Sequence, residues 1–182
     1  IFLILLILVF AIIGFIIIIY KAPQKPRQPQ IAFVIDDWGY SLNNIDALFQ
    51  IDRPVTLAVL PHLRYSKEIS DRVKKYSQQY DVILHLPLES KSGKALEKDS
   101  IRRNMKKERV LAILRDDIEG VPGIIGVSNH QGSKATENKE TMRVVLEELK
   151  KRRLFFLDSR TTPVSVCRNI SEKIGLSYAE RD

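Results

Sequence analysis

The sequence predicts an α/β domain with a parallel sheet, carried behind an apolar N-terminal span. Three observations lead there. Residues 1–20 contain no charged side chain. From residue 31 onward, short β-branched runs alternate with longer segments of helical period, the pattern of parallel strands joined by crossover helices. Acidic, histidine and arginine residues follow several of those runs, at the strand ends where α/β folds place their sites.

The first element, 1–20, is almost entirely Ile, Leu, Val and Phe. About 20 apolar residues at roughly 1.5 Å rise match the ~30 Å hydrocarbon thickness of a bilayer, so 1–20 is expected to be a transmembrane anchor. A cleaved signal peptide is the competing reading. Its apolar region normally covers only about 7–15 residues before a small-residue site, which Ile19-Tyr20-Lys21-Ala22 supplies poorly. Lys21, Lys25 and Arg27 favour a cytoplasmic flank on this side, but the opposing flank is expected before Ile1, so charge bias leaves the orientation open.

Residues 21–30 hold three prolines and three glutamines without apolar periodicity, which predicts an extended linker. The folded part is expected over 31–182, a common size for one domain with one core. Of the net charge of +7, Lys21, Lys25 and Arg27 account for three, leaving the domain at +4. The densest basic run, Lys150 to Arg153, closes a helical pattern and complements the helix dipole there. With no basic groove interleaved with aromatics, no nucleic-acid partner is expected. Cys167 is the single cysteine, which excludes an intramolecular disulfide and suits a packed side chain.

Six strands are expected, at 31–35, 55–60, 82–86, 123–127, 154–157 and near Tyr178. Helical composition covers 65–79, 106–119, 139–153 and 165–174. Val110, Leu111, Leu114 and Ile118 form one apolar stripe, and Gly175 is placed as the C-cap of the last helix. Such strands either close as a barrel or lie open as a doubly wound sheet.

The strand ends gather the chemistry. Asp36 and Asp37 follow the first strand, His85 lies within the third, Ser128, Asn129 and His130 follow the fourth, and Asp158, Ser159 and Arg160 follow the fifth. Stability alone gives little reason for this gathering, because each such group must stay solvated or be paired to avoid a desolvation cost. Side chains alternate along a strand, so Asp36 and Asp37 divide naturally into one metal ligand and one acid/base group; an Asx turn is the plain alternative. An Asp with His85 and His130 suits zinc or another divalent transition ion and leaves room for water and substrate. His62, after the second strand, is a spare candidate that fits a surface loop equally well. Asp158 and Arg160 are candidates to orient a ligand histidine or to pair with the catalytic acid, or else they close a strand end.

The segments VIDDWGY, TLAVLP, ILHLPLE, GVSNHQGSKAT and FFLDSRTT, in this order, resemble the successive motifs of the divergent polysaccharide deacetylases, relatives of the nodulation-protein-B-like carbohydrate esterases. The resemblance spans 31–182. It implies a distorted (β/α) barrel that would continue beyond Asp182, an extracytoplasmic location, and metal-dependent removal of acetyl groups from a sugar polymer. It also implies that Asp36 is the base that deprotonates the metal-activated water, and that Asp37 and His130 are metal ligands. The better-known deacetylases place a second histidine four residues after the first; here that position is Lys134, and His85 is the candidate to replace it.

The expected function is therefore that of an anchored, zinc- or divalent-metal-dependent hydrolase that cleaves N- or O-acetyl groups from a cell-envelope polysaccharide, a hydrolase of non-peptide C–N bonds in the N-acetyl case. Asp36, Asp158 and Arg160 are its expected catalytic residues and Asp37, His85 and His130 its metal ligands. The domain is expected to be periplasmic or extracellular. A non-catalytic glycan-binding or scaffold domain, and a hydrolase for another acyl or phosphoryl substrate, are the competing expectations.

Overall fold

The computed structural model describes residues 2–21, 30–76, 79–92, 97 and 99–181. It divides into two compact units, 1–31 and 32–182. The first contains helix α1 (Phe2–Lys21). Among the described residues no helix is long and apolar enough to cross a membrane, and within α1 the described side chains are those of Phe2 and residues 5–15. The linker expectation falls largely on 22–29, outside the described residues.

The second unit runs β1 (Val34–Trp38), α2 (Ile45–Leu48), β2 (Val55–Val59), α3 (Ser66–Lys74), β3 (Tyr80–Leu88), α4 (Lys107–Gly120), β4 (Gly126–Gln131), α5 (Lys139–Lys151), β5 (Phe155–Asp158), α6 (Cys167–Ile174) and β6 (Tyr178–Glu180). All neighbouring strands pair in parallel, in the order β1-β2-β3-β4-β5-β6. This corrects the doubly wound alternative. A doubly wound sheet reverses its strand order at a switch point, and this one does not. Sequential parallel order is that of a (β/α) barrel, and over the described residues the sheet is unclosed, with edges at β1 and β6.

Sequential order with right-handed crossovers sends the connecting helices to one face. Leu57, Val59, Val82, Leu84, Leu86, Leu88, Val127 and Phe156 pack there against Ile69, Val110, Leu114, Val145, Leu149 and Ile170. The alternate strand positions Ala58, Ile83, His85 and Ser128 are buried too, on the opposite face. Burial on both faces explains the continuous apolar runs. Cys167 is fully buried, and burial pushes its thiol up to about 12, so it is an inert packed side chain. Gly175 ends α6 in the left-handed region, φ 67°, as expected of a C-cap.

Two strand boundaries differ from expectation in a way that matters for the site. β1 begins at Val34 and contains Asp36 and Asp37, which were expected to follow it. β4 reaches Gln131 and contains Ser128, Asn129 and His130. Backbone pairing carries each strand past the point where its sequence turns polar.

Candidate metal centre

A bulge in β1 aims the first donor. Ile35 pairs with Leu57 and Trp38 with Val59, so three steps on β1 oppose two on β2. The extra residue is absorbed with Asp37 at φ 64°, a left-handed conformation that few non-glycine residues adopt and that Asp tolerates better than most.

The turned carboxylate meets two histidines from β3 and β4, across the intervening β2. Asp37 Oδ1 lies 3.0 Å from His130 Nδ1 and 3.4 Å from His85 Nε2. The imidazole centroids are 5.0 Å apart with their planes at 73°. The three donor atoms lie within 4.8 Å of one another. On a tetrahedral ion with bonds of ~2.0–2.1 Å, donors stand about 3.3 Å apart. The donor types, and the two separations measured from Asp37, suit a divalent ion that Asp37 Oδ1, His85 Nε2 and His130 Nδ1 could hold.

The outer nitrogens of both rings are held by β4. His85 Nδ1 meets Ser128 Oγ at 2.8 Å, and both residues are buried. This follows from register, since His85 pairs with Ser128 across β3 and β4. His130 Nε2 faces the Gln131 amide nitrogen at 3.4 Å. Such outer partners fix ring orientation and tautomer.

Two of the three residues are held in the charge state that metal binding needs. The His85 hydrogen bond, helped by the charges of the two histidines, holds the Asp37 carboxyl below the usual carboxylate range in spite of partial burial. Burial, with His85 nearby, holds His130 below the ordinary imidazole value although Asp37 opposes this. Near neutrality Asp37 is charged and His130 neutral.

Asp36 is exposed on β1 and borders a cleft of about 420 Å³ that also touches Asp37, Trp38, Tyr40, Asn43 and Ile51. Tyr40 donates from its hydroxyl to Glu97 Oε1 at 2.5 Å, which together with burial pushes the phenol up to about 12.

Asp158 and Arg160 do not join this group. Asp158 is fully buried and accepts from Arg160 N, Ser165 Oγ and Tyr178 Oη. Arg160 pairs with Glu180 at 2.6 Å. Their described partners lie on β6 and the β5–α6 connection. The residue between them is the link to the site: Ser159 donates through N and Oγ to Asn129 Oδ1 and O, at 2.8 and 2.9 Å. His62 lies apart, 3.2 Å from both Asp116 and Asp117. Lys134 reaches Glu89 at 2.6 Å, so the position where the better-known deacetylases keep a histidine serves a loop ion pair.

Ser128, Asn129 and Gln131 are the supporting residues that the sequence left without roles. Ser128 and His130 are two apart, and once β4 is read through 131 they share a face with His85.

Residues 33–182 match the model of the divergent polysaccharide deacetylases, and the chain belongs to this family. YibQ of Escherichia coli K12, an uncharacterized protein, is 31% identical over 152 residues, 84% of this chain and 47% of YibQ. An uncharacterized protein of Haemophilus influenzae Rd is 32% identical over 154 residues, 85% of this chain and 54% of its own length. The chain thus spans about half the length of these two relatives. A crystal structure of the uncharacterized protein ATU2773 from Agrobacterium tumefaciens C58 superimposes with a TM-score of 0.77 at 19% identity, over 89% of this chain and 66% of that one, and shares the fold.

Proposed function

We propose that the domain is a metal-dependent hydrolase that removes N- or O-acetyl groups from a cell-envelope polysaccharide. The convergence of Asp37, His85 and His130 from three strands, in a family of deacetylases, is the observation that carries this reading. Zinc or another divalent transition ion, held by these three residues, would supply Lewis acidity, making water acidic near neutrality and polarising an acyl carbonyl.

The chain's own residues supply the rest. Asp37 contributes the negative charge of the ligand set, and Ser128 holds the His85 ring in place. Asp36 has no hydrogen-bond or ion-pair partner among the described residues, and its free carboxylate accepts a proton from the attacking water and returns it to the leaving amine or hydroxyl. The cleft beside it, with Trp38 and Tyr40, offers aromatic surface and polar groups to a sugar chain. Asp158 and Arg160 support this machinery through the β5–β6 corner and are not proposed to touch substrate.

Residues 1–20 are proposed as the anchor that holds the domain at a membrane, facing the periplasm or exterior where such a polysaccharide lies; their charge-free composition is the support. A glycan-binding domain without turnover is the second reading, favoured by Asp158 and Arg160 being bonded elsewhere.

Acetate release from acetylated glycan oligomers by the zinc-loaded full chain tests the proposal. Release that falls by two or more orders of magnitude in Asp36→Asn, with zinc still bound, supports hydrolysis. Glycan binding without acetate release favours the second reading.

A further inference from the structure

The two imidazoles of the metal centre present opposite nitrogens to it, Nε2 from His85 and Nδ1 from His130. Coordination needs a lone pair on each inner nitrogen, so the ring proton must sit on the outer one and find an acceptor there.

His85 has a partner that serves either state. Ser128 Oγ accepts from Nδ1–H, and by rotating its proton it donates to a bare Nδ1 instead.

His130 faces a stricter partner. Gln131 presents its amide nitrogen to His130 Nε2, and an amide nitrogen only donates. In this arrangement Nε2 is bare and the proton is on Nδ1, donated to Asp37 Oδ1 at 3.0 Å. That tautomer blocks coordination through Nδ1. The acceptor that would reverse it is on the same side chain: Gln131 Oε1 is buried and has no hydrogen-bond partner. A half-turn of the terminal amide exchanges the two atoms and breaks no hydrogen bond of the oxygen.

The backbone that carries this amide is fixed. Gln131 sits at φ 55° and the next residue, Gly132, at φ 91°. The Gln131 carbonyl accepts from Asn129 Nδ2 at 2.7 Å and Thr161 Oγ1 at 2.9 Å. A Cβ at Gly132 would stand 2.9 Å from Leu88 Cβ. The chain therefore turns sharply and brings the Gln131 side chain back onto the ring of its own neighbour, where adjacent strand residues ordinarily point apart.

We propose that Gln131 is a positioning residue that sets the His130 tautomer, its amide turning from donor to acceptor at Nε2 when the single ring proton is exchanged through solvent from Nδ1 to Nε2 and leaves the Nδ1 lone pair free for a metal ion. The inference rests on the metal-centre reading of Asp37, His85 and His130. It assigns Gln131 no contact with substrate.

The test uses the full chain with ¹⁵N-labelled histidine at pH 8, with and without Zn²⁺, as wild type, Gln131→Leu and Gln131→Glu. Ring nitrogen shifts and couplings report which nitrogen carries the proton, and competition with a chelator gives the Zn²⁺ affinity. The expected wild-type result is Nδ1–H without zinc and Nε2–H with it. Gln131→Leu should bind zinc on the order of 10-fold more weakly, and Gln131→Glu, which keeps an acceptor, should recover the affinity and hold Nε2–H in both states. Equal affinity in wild type and Gln131→Leu, or Nε2–H already present in the zinc-free wild type, overturns this inference while leaving the metal centre standing. No zinc uptake by the wild type overturns the metal centre and this inference with it.

Discussion

Asp37 Oδ1 and His130 Nδ1, 93 positions apart in sequence, lie 3.0 Å from each other. One local irregularity and one regular extension bring them together, the bulge that turns Asp37 out of strand alternation and the continuation of β4 through the polar segment that ends at Gln131. The core fixes both strands, and the bulge aims the carboxylate at histidines held in a regular ladder.

Asp37 holds a backbone conformation that glycine adopts without strain. Asp37→Gly is expected to raise stability by about 1 kcal/mol while abolishing metal binding. Chemical denaturation and metal titration of the same variant check both halves. Loss of stability together with loss of metal would show that the Asp37 conformation is not strained.

Gly132→Ala is expected to cost more than 1 kcal/mol and to weaken metal binding as well, because the added Cβ collides with Leu88 and displaces the turn carrying His130 and Gln131. Thermal denaturation together with metal affinity measures this. A fully stable Gly132→Ala would contradict the tight packing of that turn.

Lys134→Ala is expected to leave metal affinity unchanged within about twofold and to cost on the order of 1 kcal/mol, since it removes the partner of the largely buried Glu89 carboxylate. The outcome separates a loop ion pair from a vacant ligand position. A large loss of metal affinity would place Lys134 in the metal centre after all.

Asp117 gives a pH signature outside the metal centre. Its side chain is 3% exposed, and burial with the nearby Asp116 and Asp99 charges pushes it up to about 7, although His62 Nε2 lies 3.2 Å from Oδ1. A carboxyl whose folded value is raised contributes stability at low pH that is lost as pH rises from about 4 through about 7. Asp117→Asn removes this dependence and should be more stable than the parent at pH 8 by on the order of 2 kcal/mol. Urea unfolding at pH 5 and pH 8 reads it; an equal pH slope in parent and variant would sink the assignment.

All six strands were legible as apolar runs, and His85, His130 and the pair Asp36 and Asp37 stood out as candidates, because a histidine inside a buried strand and two acids at a strand end have no packing reason to be there; which acid faces the histidines was settled in the sequence only by the family resemblance. The boundaries of β1 and β4 were not. A change to polar side chains looks like the end of a strand, but pairing is made by the backbone and continues beneath Asp36, Asp37 and His130. The fate of Asp158 and Arg160 was hidden for a related reason, since their partners Ser165, Tyr178 and Glu180 are assembled by the turn into α6 and by β6. Gln131 gave no sequence signal, because its contact with the neighbouring ring depends on a left-handed φ that glutamine does not advertise. The sequential strand order, which excludes a doubly wound sheet, was not legible, since neither run lengths nor periodicity say which strands lie side by side.

The central claim is that Asp37, His85 and His130 form one metal centre. Metal content and affinity of the full chain, measured beside Asp37→Ala, His85→Ala and His130→Ala, test it most directly. The account predicts about one tightly bound divalent ion per chain in the parent and its loss in all three variants. A parent that takes up no ion, or variants that retain it, would contradict the claim.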